Sequence, residues 1–278
     1  MDFFCDITRY AYLHNALFAC LLAGIACGIV GTYVVCRRTV FLAGGITHAS
    51  FGGLGLAFYL GQNPILGAMV FAVLSALGIE WASARGRIRE DSAIGIIWSV
   101  GMALGVLFMS LRPGYTSGDL AACLFGNIVT VTDADVAALG VLTLLLVLGA
   151  LLWLRPVMYV AFDREFARSQ GIAVRGISYA MAALTAVTLV LAIRVMGIVL
   201  LLSLLTIPAV AMNALSTSFR TITAGAAVLG AVGGVIGLAV SYEWEIPSGV
   251  AVIFVLAASL IAAKLLSLLR RRAKIRHA

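Results

Sequence analysis

Residues 39–79 read TVFLAGGITHASFGGLGLAFYLGQNPILGAMVFAVLSALGI, 41 residues without a single Asp, Glu, Lys or Arg. As one helix this stretch would run about 60 Å at 1.5 Å per residue, roughly twice the hydrocarbon thickness of a bilayer. It must therefore fold back once. The turn belongs at Gly61-Gln62-Asn63-Pro64, because proline removes a backbone donor and the two amides prefer an aqueous interface. Two spanning helices follow, near residues 45–60 and 64–84. Outward from them the chain repeats the pattern, with charge-free runs that place further spans near 12–36, 92–111, 134–154, 176–193, 195–214, 222–241 and 247–269. The span at 45–60 is short, so the expectation is an all-α, polytopic membrane helix bundle of about eight to nine transmembrane helices. The whole chain, 1–278, reads as a single transmembrane domain with a cytoplasmic loop at 155–175 and a basic tail at 270–278.

Composition supports this class. The 278 residues are 63% apolar and 11% charged, with mean hydropathy +1.10, whereas soluble domains carry about 25% charged residues. Under the nine-span arrangement, 16 of the 19 Lys and Arg residues fall on one side of the membrane and only Arg9, Arg112 and Arg194 on the other. The positive-inside rule then expects the N-terminus outside and the C-terminus in the cytoplasm of an inner (plasma) membrane. The net charge of +7 follows from that bias, with membrane lipids as an expected contact; nucleic-acid binding is not needed to explain it. Asp119, Asp133, Asp135, Glu243 and Glu245 gather on the outer side. They read either as an acidic mouth that attracts cations or as ordinary solvated loops. The first span is long and lacks a small-residue cleavage site, so it is expected to stay as a helix rather than be removed as a signal peptide.

Several chemistries are excluded. The chain has no GxxxxGK[ST], HExxH or GxSxG motif, so it is expected to be no enzyme, to hold no nucleotide and to bind no resident cofactor. The three histidines are scattered, and the cysteines at 5, 20, 27, 36 and 123 form no CxxC or Cys-His cluster. Cys20 and Cys27 read as small apolar packing residues, and a Cys5–Cys123 disulfide is topologically allowed. Gly24-x-x-x-Gly28, Gly101-x-x-x-Gly105 and Gly230-x-x-x-Gly234 read as close helix contacts.

Two polar features stand out. The first is the loop FDREFARSQG at 162–171, where a short helix is expected with Asp163 as its cap and Gly171 at its end. So short a helix gains stability only by docking on something. Read from the residues alone it is either a partner-docking element or an interfacial helix whose Arg164 and Arg168 touch lipid headgroups. The second is His48, the one ionisable residue among those 41, which is either a functional ligand or a histidine bonded to a neighbouring helix.

These stretches together resemble a known family. Glu165-Phe166-Ala167 with Gly171 is similar to the Glu-Ala-Ala-x-x-x-Gly loop by which ABC importer permeases dock on their ATPase subunits. Gly24 to Arg38, Gly45 to Ala49, Ser92 to Leu107, Leu124 to Ile128 and Gly197 to Pro208 resemble the ABC-3 type permeases for zinc, manganese and iron, in the same order from about residue 13 to 260. The resemblance implies the membrane-spanning permease subunit of an ATP-driven importer of divalent metal ions, working by alternating access. ATP would act on a separate ABC ATPase subunit, with an extracytoplasmic metal-binding protein and a second permease copy as further partners. It implies Asp163, Glu165, Ala167 and Gly171 as the ATPase-coupling loop, and His48 as a contact for the passing metal. Thr47 beside it, and Asp133 and Asp135 of the outer acidic group, are further path candidates. Many family members read Gly-Asp-Ala-Leu-Ser-His where this chain has Ala43-Gly44-Gly45-Ile46-Thr47-His48, so Gly44 stands where they carry an Asp. A permease for vitamin B12 or an iron chelate is the alternative. A gradient-driven secondary transporter would be expected to bury Asp or Glu in mid-span, and Glu80 is the nearest such residue here.

Overall fold

The computed structural model describes residues 10–84, 89–111 and 131–276. Arg9, Arg85, Arg87, Arg112, Asp119, the 124–128 motif, Cys5, Cys123 and His277 lie outside the described residues. The described chain is helical throughout, without a strand: α1 Ala11–Cys36, α2 Val40–Tyr59, α3 Pro64–Ala84, α4 Glu90–Ser110, α5 Asp133–Phe162, α6 Arg164–Ser169, α7 Val174–Leu215, α8 Phe219–Trp244 and α9 Ser248–Arg276. Eight of these are long and apolar enough to cross a membrane. The chain is a multi-pass membrane protein.

The turn between α2 and α3 falls at the expected residues. Gly61 adopts φ +70°, and its amide and that of Gln62 donate back to the carbonyls of Phe58 and Ala57 at 3.3 and 2.8 Å. This is the paired bond set of a Schellman helix end, which a left-handed glycine permits. Pro64 opens α3 at the position where its missing N–H costs nothing, and Asn63 Oδ1 accepts from the Ile65 amide at 3.0 Å.

Several helices depart from the expected bounds. α2 begins at Val40, five residues before the expected 45, and so is a full 20-residue span rather than a short one, and α9 continues past 269 to Arg276. α5 runs on through Arg155 and Pro156 to Phe162 with a break at Trp153, φ −120°. Proline 156 cannot donate to residue 152 and its ring clashes there, which breaks the ladder without ending the helix. The spans expected at 176–193 and 195–214 are joined as α7, 42 residues interrupted at Gly197 with φ +74° and ψ 169°. Only glycine enters that region at low cost.

The chain divides into two compact units, one of Met1–Val35, Asn127–Leu154 and Val195–Ala278, the other of Cys36–Gly126 and Arg155–Arg194. In the first, Gly24 and Gly28 of α1 press against Gly230 and Ala227 of α8, so that a Cβ at either glycine would stand 2.6 or 2.5 Å from the facing backbone. Thr143 of α5 donates to the Leu22 carbonyl of α1 at 3.1 Å. In the second, α2 packs on α4 in the same backbone-to-backbone way. A Cβ on Gly101 would meet the Ala49 Cα at 2.5 Å, and one on Gly55 the Gly105 carbonyl at 2.5 Å. Lipid supplies no hydrophobic drive between helices, so contact of this closeness is what dispersion needs to hold them. Cys20 and Cys27 are buried free thiols within α1.

Candidate functional site

The second unit carries both polar features. His48 lies on α2 with its ring stacked on Trp98 of α4, centroids 4.3 Å apart and planes 9° from parallel. Its Nδ1 is buried without a hydrogen-bond partner, and so is the Oγ1 of the neighbouring Thr47. A buried donor or acceptor left unpaired costs about 1–3 kcal/mol, so two adjacent ones call for a function. The glue reading required a hydrogen bond to a neighbouring helix; the contact here is a ring stack, and the nitrogen stays open. Gly44, one turn before His48, faces the same indole, with its would-be Cβ 3.4 Å from Trp98 Cζ3. A Cβ at 44 would therefore rest in ordinary van der Waals contact with the indole. Together His48 and Thr47 offer one imidazole nitrogen and one hydroxyl oxygen. Among the described residues no set of three His, Cys, Asp or Glu side chains converges as a metal cage.

Asp133 and Asp135 belong to the other unit, at the start of α5. Asp133 Oδ1 accepts from Asn15 Nδ2 at 2.8 Å. Asp135, 8% exposed, accepts at Oδ2 from the Thr132 amide at 3.1 Å, while Thr132 Oγ1 accepts from the Asp135 amide at 3.3 Å. This reciprocal pair is a capping box, and both carboxylates sit where the helix dipole favours negative charge. Asp135 is therefore occupied in holding the helix end, whereas Asp133 keeps an exposed carboxylate.

The loop at 162–171 folds as its residues dictate. Asp163 Oδ1 accepts from the amides of Glu165 and Phe166, both at 2.9 Å, and α6 runs Arg164–Ser169. Gly171, φ +74°, closes it with a second Schellman end: Gly171 N–H to the Arg168 carbonyl at 3.0 Å, Ile172 N–H to Ala167 at 3.1 Å. Ala167 is fully buried against Val160 and Val174, flanked by Tyr159, Ile172 and Ile177. The close contact that Ala167 serves is thus inside this chain, and the exposed side chains of the loop are Phe162, Glu165, Phe166 and Arg168, of which Glu165 and Arg168 also line a cavity beside α6.

One group was visible in the sequence only as a charge near a span end. Glu80 of α3 is 4% exposed and gripped from two sides: Arg37 Nη2 donates to its Oε2 at 2.8 Å and Arg164 Nη2 to its Oε1 at 2.9 Å. Arg37, itself 6% exposed, also reaches Glu90 of α4 at 3.2 Å. A carboxylate near the end of a span persists only when paired this way. The result fastens α6, through Arg164, to α3 and through Arg37 to α4.

A family model described as the ABC 3 transport family matches residues 9–267. The chain belongs to that family. Among ABC 3 relatives, the manganese transport system membrane protein MntC of Halalkalibacterium halodurans is 32% identical over 253 residues, 91% of this chain and 86% of its own. The manganese import system permease protein ScaB of Streptococcus parasanguinis is 32% identical over 250 residues, 89% of this chain and 88% of its own. Among solved structures, PsaBC of Streptococcus pneumoniae in complex with Fab superposes with TM-score 0.83 at 27% identity, covering 94% of both chains. A metal-chelate type ABC transporter in an inward-facing conformation gives TM-score 0.72 at 15% identity; that likeness is one of fold alone.

Proposed function

We propose that this chain is the membrane-spanning permease of an ATP-driven importer of divalent metal ions, with manganese as the transported ion, in a bacterial inner membrane. The observation that carries the reading is the extent of likeness: permeases named for manganese transport align over about nine-tenths of the chain at about a third identity. Two copies of the chain would pair with two ABC ATPase subunits and receive metal from an extracytoplasmic binding protein, the N-terminus outside and the C-terminus in the cytoplasm. The exposed Phe162 and Phe166 of the α6 loop would dock on the ATPase, and the Arg164–Glu80–Arg37 clasp would pass its movement to α3 and α4. His48 Nδ1 and Thr47 Oγ1 would touch the ion in transit. The hydroxyl oxygen suits manganese and the imidazole nitrogen suits first-row transition ions in general, and two protein ligands hold the ion weakly enough to let it leave. A metal-chelate substrate has only the shared fold in its support.

The test is uptake of radioactive manganese by a bacterium lacking its own importers, given this chain with an ABC ATPase subunit and an extracytoplasmic metal-binding protein from the same source. Manganese accumulation that requires all three components is expected. Accumulation of intact iron chelate or vitamin B12 in place of free metal would overturn the reading.

A further inference from the structure

Beside α6 lies a cavity of about 280 Å³ lined by Glu80, Ser83 and Ala84 of α3, Arg164, Glu165 and Arg168 of α6, and Val174, Arg175, Ser178 and Tyr179 of α7. It adjoins a second space, about 570 Å³, that shares Arg168 and Arg175 and is floored by Ala173, Val174 and Gly176 at the N-terminus of α7. Four observations here agree. Ser178 is 2% exposed, yet its Oγ has no hydrogen-bond partner, and the buried Oγ of Ser83 has none either. Arg168 and Arg175 form no ion pair among the described residues. In the first turn of α7 the Val174 and Ile177 amides donate to Ile172 and Ala173, which leaves those of Arg175 and Gly176 at the positive end of the dipole. Trp81, 52% exposed on the last turn of α3, sets this level at the membrane interface, where tryptophan concentrates.

Donors in excess of acceptors, at headgroup depth, suit an oxyanion. We infer that this cavity binds the phosphodiester of an anionic phospholipid whose headgroup carries hydroxyls. Arg168 and Arg175 donate to the phosphate oxygens, as charge-assisted bonds to phosphate require, and Ser83 and Ser178 complete the set. Two carboxylates also line the space. Glu80 is already occupied at both oxygens by Arg37 and Arg164, so Glu165 is the unpaired one. A bare dianion is repelled by it, whereas headgroup hydroxyls donate to it, which is why a lipid is favoured over free phosphate. Basic pockets between spans at the cytoplasmic interface commonly hold such headgroups. The lipid would pack against the inner side of α6 and stiffen a helix too short to be stable alone.

The experiment is native mass spectrometry and thermal unfolding of the purified full chain in mild detergent, with phosphatidylglycerol, phosphatidylcholine or sodium phosphate added. Wild type should retain one phosphatidylglycerol and melt higher with it, and gain nothing comparable from the other two. Arg168→Gln with Arg175→Gln should weaken retention about a hundredfold or more, the loss of two charge-assisted bonds. Ser178→Ala, which leaves packing intact, should weaken it about threefold, and Arg168→Lys with Arg175→Lys should keep most of it. Arg272→Gln, an exposed cation on α9, should change nothing. Equal retention by the Gln double variant would overturn the site. Equal protection by phosphate without lipid would overturn the lipid assignment, as would phosphatidylcholine bound as tightly.

Discussion

Arg164 and Glu80 separate stability from coupling, because the two residues share one ion pair but differ in what each leaves behind. Glu80→Ala strands Arg37, which is 6% exposed, although Glu90 still reaches it at 3.2 Å. Breaking a buried pair by removing one partner costs about 3–5 kcal/mol; the surviving Glu90 contact puts this case near about 3 kcal/mol. Arg164→Ala takes the donor from Glu80 Oε1 but leaves the carboxylate its Arg37 partner at 2.8 Å, and the Arg164 side chain was already 31% exposed. Its cost is that of a partly solvated pair, about 1 kcal/mol. At about 2–4 °C per kcal/mol for a chain of this size, Glu80→Ala should melt about 6–12 °C below wild type and Arg164→Ala about 2–4 °C below. Yet Arg164→Ala releases α6 from α3, so manganese uptake should fall about tenfold while ATP hydrolysis continues. Thermal unfolding in detergent and uptake in vesicles from the same membranes read both quantities. Equal melting losses in the two variants would refute the ranking, and normal uptake by Arg164→Ala would refute the clasp as a transmission element.

Three further outcomes are expected. His48→Gln gives up the stack on Trp98, about 1 kcal/mol, and should lower the melting temperature by about 2–4 °C while reducing manganese flux at least about tenfold; full flux would remove His48 from the path. Gly28→Val should destabilise severely, by more than about 3 kcal/mol, because its branched carbons have no room against the Ala227 backbone; expression at the level of wild type with unchanged melting would contradict the α1–α8 contact. A cysteine at Asp133 should react with an impermeant thiol reagent from outside intact cells, in a background without the native cysteines, while a reporter after His277 stays cytoplasmic; labelling of 133 only after lysis would reverse the orientation.

Much of the fold was legible because the membrane simplifies the code. Uninterrupted charge-free runs bounded by Arg37 or by Gly61 to Pro64 fixed α1 and α3 to within a residue, and Asp163 and Gly171 announced both ends of α6. The break at Gly197 was hidden, because glycine is common in spanning helices and nothing in its neighbours declares a positive φ. The end of α5 was missed for the opposite reason: Arg155 and Pro156 look like a boundary, but the helix resumes its bonding beyond the break at Trp153. Of the candidate site, His48 and the α6 loop were read from local pattern. Trp98 was not, nor was the clasp, since Glu80 meets Arg37 across 43 residues and Arg164 across 84. Pairings of that range depend on which helices are neighbours, and no local pattern encodes it. Ala167 shows the same limit: the motif marked it, and only packing reveals that it faces inward.

The most direct test of the central claim is transport in proteoliposomes that contain this chain and its ATPase, with metal-loaded binding protein outside. ATP inside the vesicles should drive accumulation of radioactive manganese, and a proton or sodium gradient without ATP should drive none. Gradient-driven uptake by the chain alone, with no response to ATP, would contradict the account and make the protein a secondary transporter.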